Sequence, residues 1–136
     1  MENCIFCKIA NGEIPSATVY EDEAFRAIMD IAPANKGHVI LLPKKHSANL
    51  FEAEDETLRE ALLVVKRVSN AMMKALHCDG LNVVQNNGEA AGQTVFHLHL
   101  HMIPRFKEDT VKVTWKQGSY AEGEAAALSE EIKKNL

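Results

Sequence analysis

The sequence predicts an antiparallel α+β domain, because strand-like segments both precede and follow one long helical segment, with short connections between them. Three short apolar segments come before the helical segment, at residues 17–22, 24–30 and 37–43. At 136 residues and 15.1 kDa, the chain has room for one hydrophobic core. We therefore expect a single domain over residues 1–136.

The first three segments have the length and composition of strands. Residues 17–22 and 24–30 are separated by an acidic turn, and residues 37–43 are rich in valine, isoleucine and leucine. Pro33 and Asn35 lie between the second and third segments and predict a loop there. The chain is thus expected to begin with three neighbouring strands.

One long helix is predicted from about Glu54 to His77, where the apolar period changes from that of a strand to that of a helix. Acidic residues occupy its first turn, where the helix dipole favours negative charge, and Asp79-Gly80 ends it. The apolar residues at helical spacing are Leu58, Leu62, Val65, Met72 and Leu76.

Two more strands and a second helix are predicted after the long helix. Leu81–Gln85 and Thr94–Pro104 are the strand segments, and a polar loop containing glycine joins them. A further strand remains an alternative for the tail as far as Trp115, and Glu122–Asn135 predicts an acidic C-terminal helix. The sheet is then expected to have about five strands.

Composition excludes several classes of protein. The 15 basic and 19 acidic side chains give a formal net charge of −4, without the basic stripe of a nucleic-acid binder. No segment approaches the roughly 18 apolar residues of a membrane-spanning helix. Met1–Ala10 lacks the pattern of a signal peptide, and three cysteines do not make a disulfide framework. We expect a cytoplasmic protein that binds neither nucleic acid nor membrane.

Three of the six histidines occupy alternate positions in a predicted strand, at His97, His99 and His101. In a strand their imidazoles share one face, about 6–7 Å apart, while Leu98 and Leu100 point into a core. Such a row can bind a metal ion or a tetrahedral phosphate. Because imidazole titrates near neutral pH, one ring can attack while another donates a proton. The alternative is a row of exposed histidines on a solvated sheet face.

The polar loop just before this strand carries groups that suit a phosphate. Gly88–Gly92 can present backbone N–H groups, and Gln93 and Thr94 add polar side chains. Asn86 ends the preceding strand and can bind an oxygen atom. A plain surface turn explains these residues equally well, so the loop alone does not establish a site.

The segment from His97 to Ile103 has the pattern His-φ-His-φ-His-φ-φ, where φ is apolar, and it resembles the signature of the histidine-triad (HIT) family. The likeness covers about residues 4–106 and is greatest to the Hint-like bacterial branch, not to the diadenosine polyphosphate hydrolases. It implies a HIT-like α+β fold in a homodimer whose sheet extends across both subunits. Residues 107–136 form a C-terminal extension. The other matching motifs are Phe6-Cys7-Lys8-Ile9, Glu13-Ile14-Pro15, Asp30-Ile31-Ala32-Pro33, Gly37-His38, Pro43-Lys44-Lys45-His46 and Asn86 through Gln93.

The resemblance implies nucleotidyl hydrolysis or transfer. In that family a histidine attacks the α-phosphorus of a purine nucleoside 5′-phosphate derivative, such as a phosphoramidate, and water then releases the monophosphate. Carried over by position, His99 is the nucleophile, His101 contacts the phosphate or leaving group, and His38 supports the triad. The substrate-binding residues implied are Asp30 for the ribose, Asn86, Gly92, Gln93, Thr94 and His101 for the phosphate, and Ile14, Ile28 and Ile31 for the purine.

Cys4 and Cys7 form a Cys-x-x-Cys pair, which in a reducing compartment indicates metal or redox chemistry. Some members of the HIT family, which the sequence resembles, bind structural zinc with such a pair and two histidines. By this resemblance the two histidines here are His46 and His97. The resemblance therefore implies a structural zinc ion and no organic cofactor. The alternative is a pair of reduced thiols without a metal.

Three functions remain open at this point. The first is a hydrolase with a histidine nucleophile, and the second is a hydrolase in which His97, His99 and His101 bind a catalytic metal ion directly. Against the second, the triad has no acidic neighbour in the sequence to act as a fourth ligand. The third is a purine-nucleotide-binding interaction module with little catalysis. Within the enzyme class, a dinucleoside polyphosphate hydrolase is a further alternative.

Overall fold

The computed structural model describes residues 3–136, in which five antiparallel strands form one sheet accompanied by three α-helices. Met1 and Glu2 lie outside the described residues. They begin the segment Met1–Ala10, for which no signal peptide was expected. The strand order is β1-β2-β3-β5-β4, and the predicted α+β class and five-stranded sheet are confirmed. The elements are α1 (Ile5–Ala10), β1 (Thr18–Glu21), β2 (Phe25–Met29), β3 (Val39–Pro43), α2 (Asp55–Leu76), β4 (Gly80–Val84), β5 (Leu100–Arg105) and α3 (Glu124–Lys133), with a 3₁₀ turn at Glu89–Ala91.

The sheet has two differently covered faces, which follow from the alternation of side chains along its strands. Val39 and Leu41 of β3 belong to the core under α2, together with Met102 of β5. Ile40 and Leu42 point the other way and pack with α1. Because His101 pairs with Ile40 in the sheet, its side chain belongs to this second face. The second face therefore carries the site.

The predicted long helix is confirmed to within one residue at each end, but its buried face differs from the predicted one. Leu62, which the spacing assigns to that face, is 62% exposed. The core instead takes Ala61, Val64 and Val68, with Val65 as predicted. These positions still have helical spacing, and their small side chains let the helix lie close to the sheet. Among residues 3–136, none of the helices has the length and apolar character needed to cross a membrane.

The histidine segment departs from the predicted strand. β5 begins at Leu100 instead of Thr94, so only His101 of the three histidines lies in the regular ladder. The residues before it form a bend, and the Leu98 N–H donates to the Ser47 carbonyl at 2.8 Å, outside the sheet. The alternation of the sequence is genuine, but two of its histidines lie on irregular backbone.

The tail after β5 does not add a strand within the described chain. Asp109 accepts the Phe106 N–H at 2.8 Å and forms an ion pair with Arg105, with 2.9 Å between Oδ1 and Nη2. These contacts close a turn that ends the sheet pairing. The alternative of a strand as far as Trp115 is therefore wrong, whereas the acidic C-terminal helix is present as α3.

Gly37 sets the start of β3 immediately before His38. Its φ of +99° lies in the left-handed region, and a Cβ atom there would be 2.6 Å from Leu76 Cδ1. We expect Gly37→Ala to lower the free energy of unfolding by about 1–3 kcal/mol, measured by urea denaturation. Gly118→Ala is the matched control, because a Cβ atom at Gly118 has open space, and we expect a change below about 0.5 kcal/mol. Equal stability of the two variants would contradict this account.

Candidate active site and metal centre

A cavity of about 420 Å³ lies on the sheet face opposite α2. It brings together seven of the side chains singled out from the sequence, and apolar residues of α1 complete its wall. Among the described residues, His38, Asn86, Gly92 and Gln93 do not line it. The cavity therefore combines an apolar lining with imidazole, carboxylate and hydroxyl groups. The seven residues are Ile14, Ile28, Asp30, Ile31, Thr94, His99 and His101.

His99 is oriented by the backbone. Its Nδ1 atom lies 2.7 Å from the His97 carbonyl oxygen. Because a carbonyl oxygen only accepts, Nδ1 carries the hydrogen and Nε2 keeps its lone pair. Burial lowers the pKa of His99 below its ordinary value of 6.5, which keeps the ring neutral near pH 7. A buried, neutral imidazole with one unprotonated nitrogen is a competent nucleophile.

His101 receives its orientation through His38. The Ala34 N–H donates to His38 Nδ1 at 3.0 Å, so the hydrogen of the neutral ring is on Nε2. His38 Nε2 donates this hydrogen to His101 Nδ1 at 2.9 Å, which leaves the hydrogen of His101 on its own Nε2. The ring centroids of His99 and His101 are 4.9 Å apart. The arrangement places an N–H donor next to the ring of His99.

Burial keeps this pair of rings neutral as well. It lowers the pKa of His101 to about 4, and the neighbouring His99 and His38 act in the same direction. Burial also lowers the pKa of His38, although Asp30, whose Oδ2 lies 3.6 Å from His38 Nε2, opposes the shift. The hydrogen-bond directions above therefore apply at neutral pH.

Two sets of side chains are candidates for binding a catalytic metal ion, and neither is favoured. Asp30, His38 and His101 offer ligand atoms within 4.8 Å of one another. An ion there would need a lone pair on His38 Nε2, which carries the ring hydrogen because Ala34 donates to Nδ1. The predicted alternative of His97, His99 and His101 around one ion does not occur as a ligand group in the described part of the chain.

Gln93 fixes the loop that precedes the histidines. Its Oε1 accepts the Gly88 N–H at 2.8 Å, and its Nε2 donates to the carbonyls of Ala48 at 2.6 Å and Val95 at 3.1 Å. Both amide hydrogens are thus used within the protein, whereas the resemblance assigns Gln93 to the phosphate. In this conformation Gln93 holds the loop in place and offers no spare donor.

Asn86 and Gly92 lie side by side in the same loop. Gly92 has a φ of +95°, and a Cβ atom on it would be 3.6 Å from Asn86 Nδ2. A side chain at position 92 would therefore be strained by the backbone conformation, although its Cβ atom would be only in van der Waals contact with the Asn86 amide. Gly92 therefore allows the chain to leave the 3₁₀ turn at Glu89–Ala91 beside the Asn86 amide.

The four predicted zinc ligands converge in a second, separate group. His97 Nε2 donates to the Pro43 carbonyl at 2.8 Å, so Nδ1 has the lone pair. That Nδ1 lies 3.5 Å from Cys4 Sγ, 3.4 Å from Cys7 Sγ and 3.2 Å from His46 Nδ1. Cys7 Sγ is also 3.2 Å from His46 Nδ1.

These distances match the edges of a tetrahedron around zinc. Bonds of about 2.3 Å to sulfur and 2.0–2.1 Å to nitrogen give edges of about 3.6 Å between nitrogen and sulfur and about 3.3 Å between nitrogens. The group offers two thiols and two imidazoles, and His97 within it is fully buried. Burial and a hydrogen bond with Cys4 raise the pKa of the Cys7 thiol in the metal-free chain. The donor set and its spacing fit a structural zinc ion.

Phe6 connects the two groups and is the residue whose role the sequence did not reveal. It lies on α1 between the two cysteines, with its ring centroid 6.2 Å from that of His97 and 4.9 Å from that of His99. Its ring meets His99 edge-on at 87°. The motif containing Phe6 was visible in the sequence, but the position of Phe6 against the His99 ring depends on α1, which was not predicted.

The chain is similar to proteins of one family. A family model described as the HIT domain matches residues 11–108. Protein hit from Bacillus subtilis is 44% identical over 99% of this chain and 95% of that protein. An adenosine 5′-monophosphoramidase from Schizosaccharomyces pombe is 40% identical, with 98% of each chain covered. An adenylylsulfatase from Arabidopsis thaliana is 41% identical over 79% of this chain and 54% of that protein.

Solved structures agree with these similarities. A crystal structure of a HIT-family member from Bacillus subtilis, 42% identical, superposes with a TM-score of 0.92 over 98% of this chain and 97% of that one. A Zn-bound histidine triad family protein from Mycobacterium smegmatis, 36% identical, superposes with a TM-score of 0.77 over 98% of both chains.

The low pKa of His101 makes stability depend on pH. In the unfolded chain the ring binds a proton near pH 6.5, but in the folded protein only near pH 4. Between these values the unfolded state binds more protons, so stability falls as the pH is lowered. His101→Gln removes this titration. We expect its free energy of unfolding, from urea denaturation, to fall less steeply than that of the wild type, by up to about 1.4 kcal/mol per pH unit.

His77→Gln is the control for this measurement. His77 is an exposed histidine at the end of α2, away from the site, and the variant is expected to keep the wild-type slope. If His101→Gln and the wild type lose stability in parallel between pH 6.5 and 4, burial does not hold His101 neutral.

Proposed function

The chain belongs to the histidine-triad (HIT) family, and on this premise we propose that it cleaves the α-phosphate bond of purine nucleoside 5′-phosphate derivatives through a covalent nucleotidyl-histidine. Relatives named as a monophosphoramidase and an adenylylsulfatase support a hydrolase acting on nucleotides. The observation that carries the proposal is the unprotonated Nε2 of His99 beside the N–H of His101, in one cavity with Asp30.

His99 is the proposed nucleophile. Its Nε2 lone pair attacks the α-phosphorus, a P–N bond to the ring forms, and the P–N or P–O bond to the leaving group breaks with its electron pair. The ring becomes positively charged in this step. The carbonyl of His97, already bonded to Nδ1, stabilises that charge, so no further movement of the ring is needed. Water then attacks phosphorus and loses a proton to solvent, and the P–N bond breaks with its electron pair returning to His99 Nε2, which releases the monophosphate and neutral His99.

His101 is proposed to serve the phosphate and the leaving group. Its Nε2–H donates to a phosphate oxygen or to the departing atom, where negative charge develops. His101 acts in this proposal as a neutral donor, because its Nδ1 accepts the His38 Nε2–H and has no free lone pair for a second proton. His38 thereby keeps the His101 hydrogen on Nε2, and the departing atom takes its proton from water.

The remaining cavity residues are proposed to hold the nucleotide. Asp30 Oδ1 already accepts the Ala32 N–H at 2.8 Å, which fixes the carboxylate so that Oδ2 can accept from the ribose hydroxyls. The three isoleucines offer apolar walls for the purine, and the volume of about 420 Å³ suits a ligand of this size. Thr94 and the loop with Asn86 and Gly92 are proposed to bind the phosphate, and Gln93 to hold that loop. The isoleucines are Ile14, Ile28 and Ile31.

A structural zinc ion is proposed at Cys4, Cys7, His46 and His97. The tetrahedral spacing of the four ligand atoms supports it, as does the Zn-bound relative. Zinc held by four protein ligands supplies a rigid crosslink between α1, the end of β3 and the histidine segment. His97 then keeps its carbonyl fixed for His99, which is how the metal group supports the nucleophile.

A homodimer in the cytoplasm completes the proposal. β4 is an edge strand, and Val83 on it is exposed, as is Leu62 on α2. An apolar sheet edge of this kind supports the pairing of two copies into one continuous sheet, as the resemblance implies. The reduced cysteines of the metal group suit a reducing compartment. We propose one domain over residues 1–136, with the core at about 4–106.

Covalent labelling tests the proposed nucleophile. After a single-turnover incubation with adenosine 5′-phosphoramidate and an alkaline quench, mass spectrometry is expected to find an adenylyl group on the His99 peptide. His99→Gln should lose the label and at least about a thousandfold in kcat. His101→Gln should still be labelled, but about 10²–10⁴-fold more slowly.

His77→Gln is the matched control and should keep wild-type turnover. Turnover that survives in His99→Gln would reject the proposed nucleophile. A wild type that binds AMP but never turns over would identify the nucleotide-binding module, and faster cleavage of diadenosine polyphosphates than of the phosphoramidate would identify the alternative hydrolase.

Metal analysis tests the zinc proposal. Protein purified without chelators is expected to contain about one zinc ion per chain by mass spectrometry of the elements. Cys4→Ser should lower the zinc content, because it removes one of the four ligands. Cys78→Ser should keep it, since Cys78 is buried at the end of α2, 3.2 Å from Met73 Sδ. Wild-type protein that carries no metal would contradict the proposal.

A further inference from the structure

The loop between β2 and β3 supplies the backbone group that orients His38. The Ala34 N–H donates to His38 Nδ1 at 3.0 Å, and the Asn35 carbonyl accepts the His38 N–H at 3.0 Å. Ala34 and Lys36 are nevertheless exposed, as are residues 31–33 before them. Exposed loops open more readily than the strands that they connect. The position of the Ala34 N–H therefore depends on what holds this loop against the sheet.

Asn35 holds the loop through its side chain, which is half-buried. Its Nδ2 atom donates to the Pro104 carbonyl at 2.8 Å and to Asp109 Oδ2 at 2.9 Å, which accounts for both amide hydrogens. Pro104 lies on β5, three residues after His101. Asn35 thus ties the loop that carries the Ala34 N–H to the strand that carries His101.

Asp109 gives this contact a fixed carboxylate, because its side chain is 7% exposed and accepts several further hydrogen bonds. Oδ2 accepts from Arg105 Nε at 3.0 Å and from the Phe106 N–H at 2.8 Å, and Oδ1 accepts from Arg105 Nη2 at 2.9 Å. Arg105 holds the pKa of Asp109 well below its ordinary value, so the carboxylate stays charged at neutral pH. Hydrogen bonds to a charged acceptor are the stronger kind. The C-terminal extension therefore reaches the loop through Asn35.

The hydrogen positions of His38 and His101 depend on this loop. With the Ala34 N–H at Nδ1, His38 has its hydrogen on Nε2 and donates it to His101 Nδ1 at 2.9 Å. If the Ala34 N–H moves away, His38 can carry its hydrogen on Nδ1, and its Nε2 then becomes an acceptor. His101 would have to place its own hydrogen on Nδ1 to keep the contact. Its Nε2 would then lack the N–H that serves the phosphate in the proposed reaction.

We propose that Asn35 and Asp109 are positioning residues, which act on His101 through the Ala34 N–H and His38. In the described chain neither residue lines the cavity, so they control hydrogen placement and do not contact the nucleotide. Their effect on hydrogen placement can be measured without a substrate. Their effect on turnover rests on the proposed function.

Nuclear magnetic resonance of the ¹⁵N-labelled full chain tests hydrogen placement at pH 7.5, where burial keeps His38 and His101 neutral. In the wild type, long-range ¹H–¹⁵N spectra are expected to show the hydrogen on Nε2 of both rings. In Asn35→Ala the Ala34 amide should exchange with solvent at least about tenfold faster. The Nδ1–H tautomer of both rings should also become detectable, because the loss of one hydrogen bond changes such a ratio by about fivefold.

Two further variants separate the loop contact from a general loss of hydrogen bonds. Asn82→Ala is the matched control, since it removes a hydrogen bond of 2.7 Å to Arg105 Nη1 but none to the loop. It should keep the wild-type exchange and tautomers. Asp109→Asn keeps the size of the side chain but replaces one acceptor oxygen by an NH₂ group, and it should reproduce the changes of Asn35→Ala.

His99 shows whether a variant keeps a folded site. Its hydrogen is bonded to the His97 carbonyl and not to the loop, so it should stay on Nδ1 in every variant. A change at His99 as well as at the other two rings would mean general loosening and would overturn the proposal. Wild-type tautomers in Asn35→Ala, or altered ones in Asn82→Ala, would overturn it too.

Steady-state kinetics with adenosine 5′-phosphoramidate tests the effect on turnover. Asn35→Ala is expected to lower kcat about two- to tenfold and to change KM less than about twofold, because the His101 hydrogen serves the transition state. Asn82→Ala should keep both constants. An unchanged kcat in Asn35→Ala, despite altered tautomers, would overturn the role in turnover. An inactive wild type would instead reject the proposed function, and the tautomers would still decide whether Asn35 positions the loop.

Discussion

The hydrogen bond from His99 Nδ1 to the His97 carbonyl is the constraint on which the site depends. It fixes the tautomer of His99 and so leaves Nε2 with a lone pair in the cavity. The carbonyl is fixed in turn because the His97 ring is held at both nitrogens, by Pro43 on one side and by the group with Cys7 and His46 on the other. The buried His97 thus links the cysteine–histidine group to His99.

The second ring of the site is set by the same means from the opposite direction. The Ala34 N–H donates to His38 Nδ1, so His38 has its hydrogen on Nε2. His38 Nε2 then donates to His101 Nδ1, which fixes the tautomer of His101 in the same way. Both tautomers are therefore decided by main-chain groups, which neither titrate nor rotate away. Preorganised dipoles of this kind need no rearrangement during the reaction, and this is what makes them effective in catalysis.

The sequence pattern that singles out the three histidines describes the backbone of only one of them. Strict alternation led to His97, His99 and His101 as one row on a strand, yet only His101 lies in β5. The strands and α2 could be predicted because burial of one face requires apolar residues at a regular period, and that period is visible in the sequence. The six-residue α1, the bend before Leu100 and the internal bonding of Gln93 depend on single tertiary contacts that leave no period in the sequence.

The imidazoles of the cavity are held neutral near pH 7 and offer N–H donors without any cationic side chain. No lysine or arginine lines the cavity within the described residues, and the chain as a whole carries a net charge of −4. A lysine or arginine buried beside His99 would carry a cost of desolvation. Short, directed N–H donors stabilise a phosphate without that cost. A phosphate site of this type therefore depends on hydrogen placement, and the backbone contacts of His97 and Ala34 supply it.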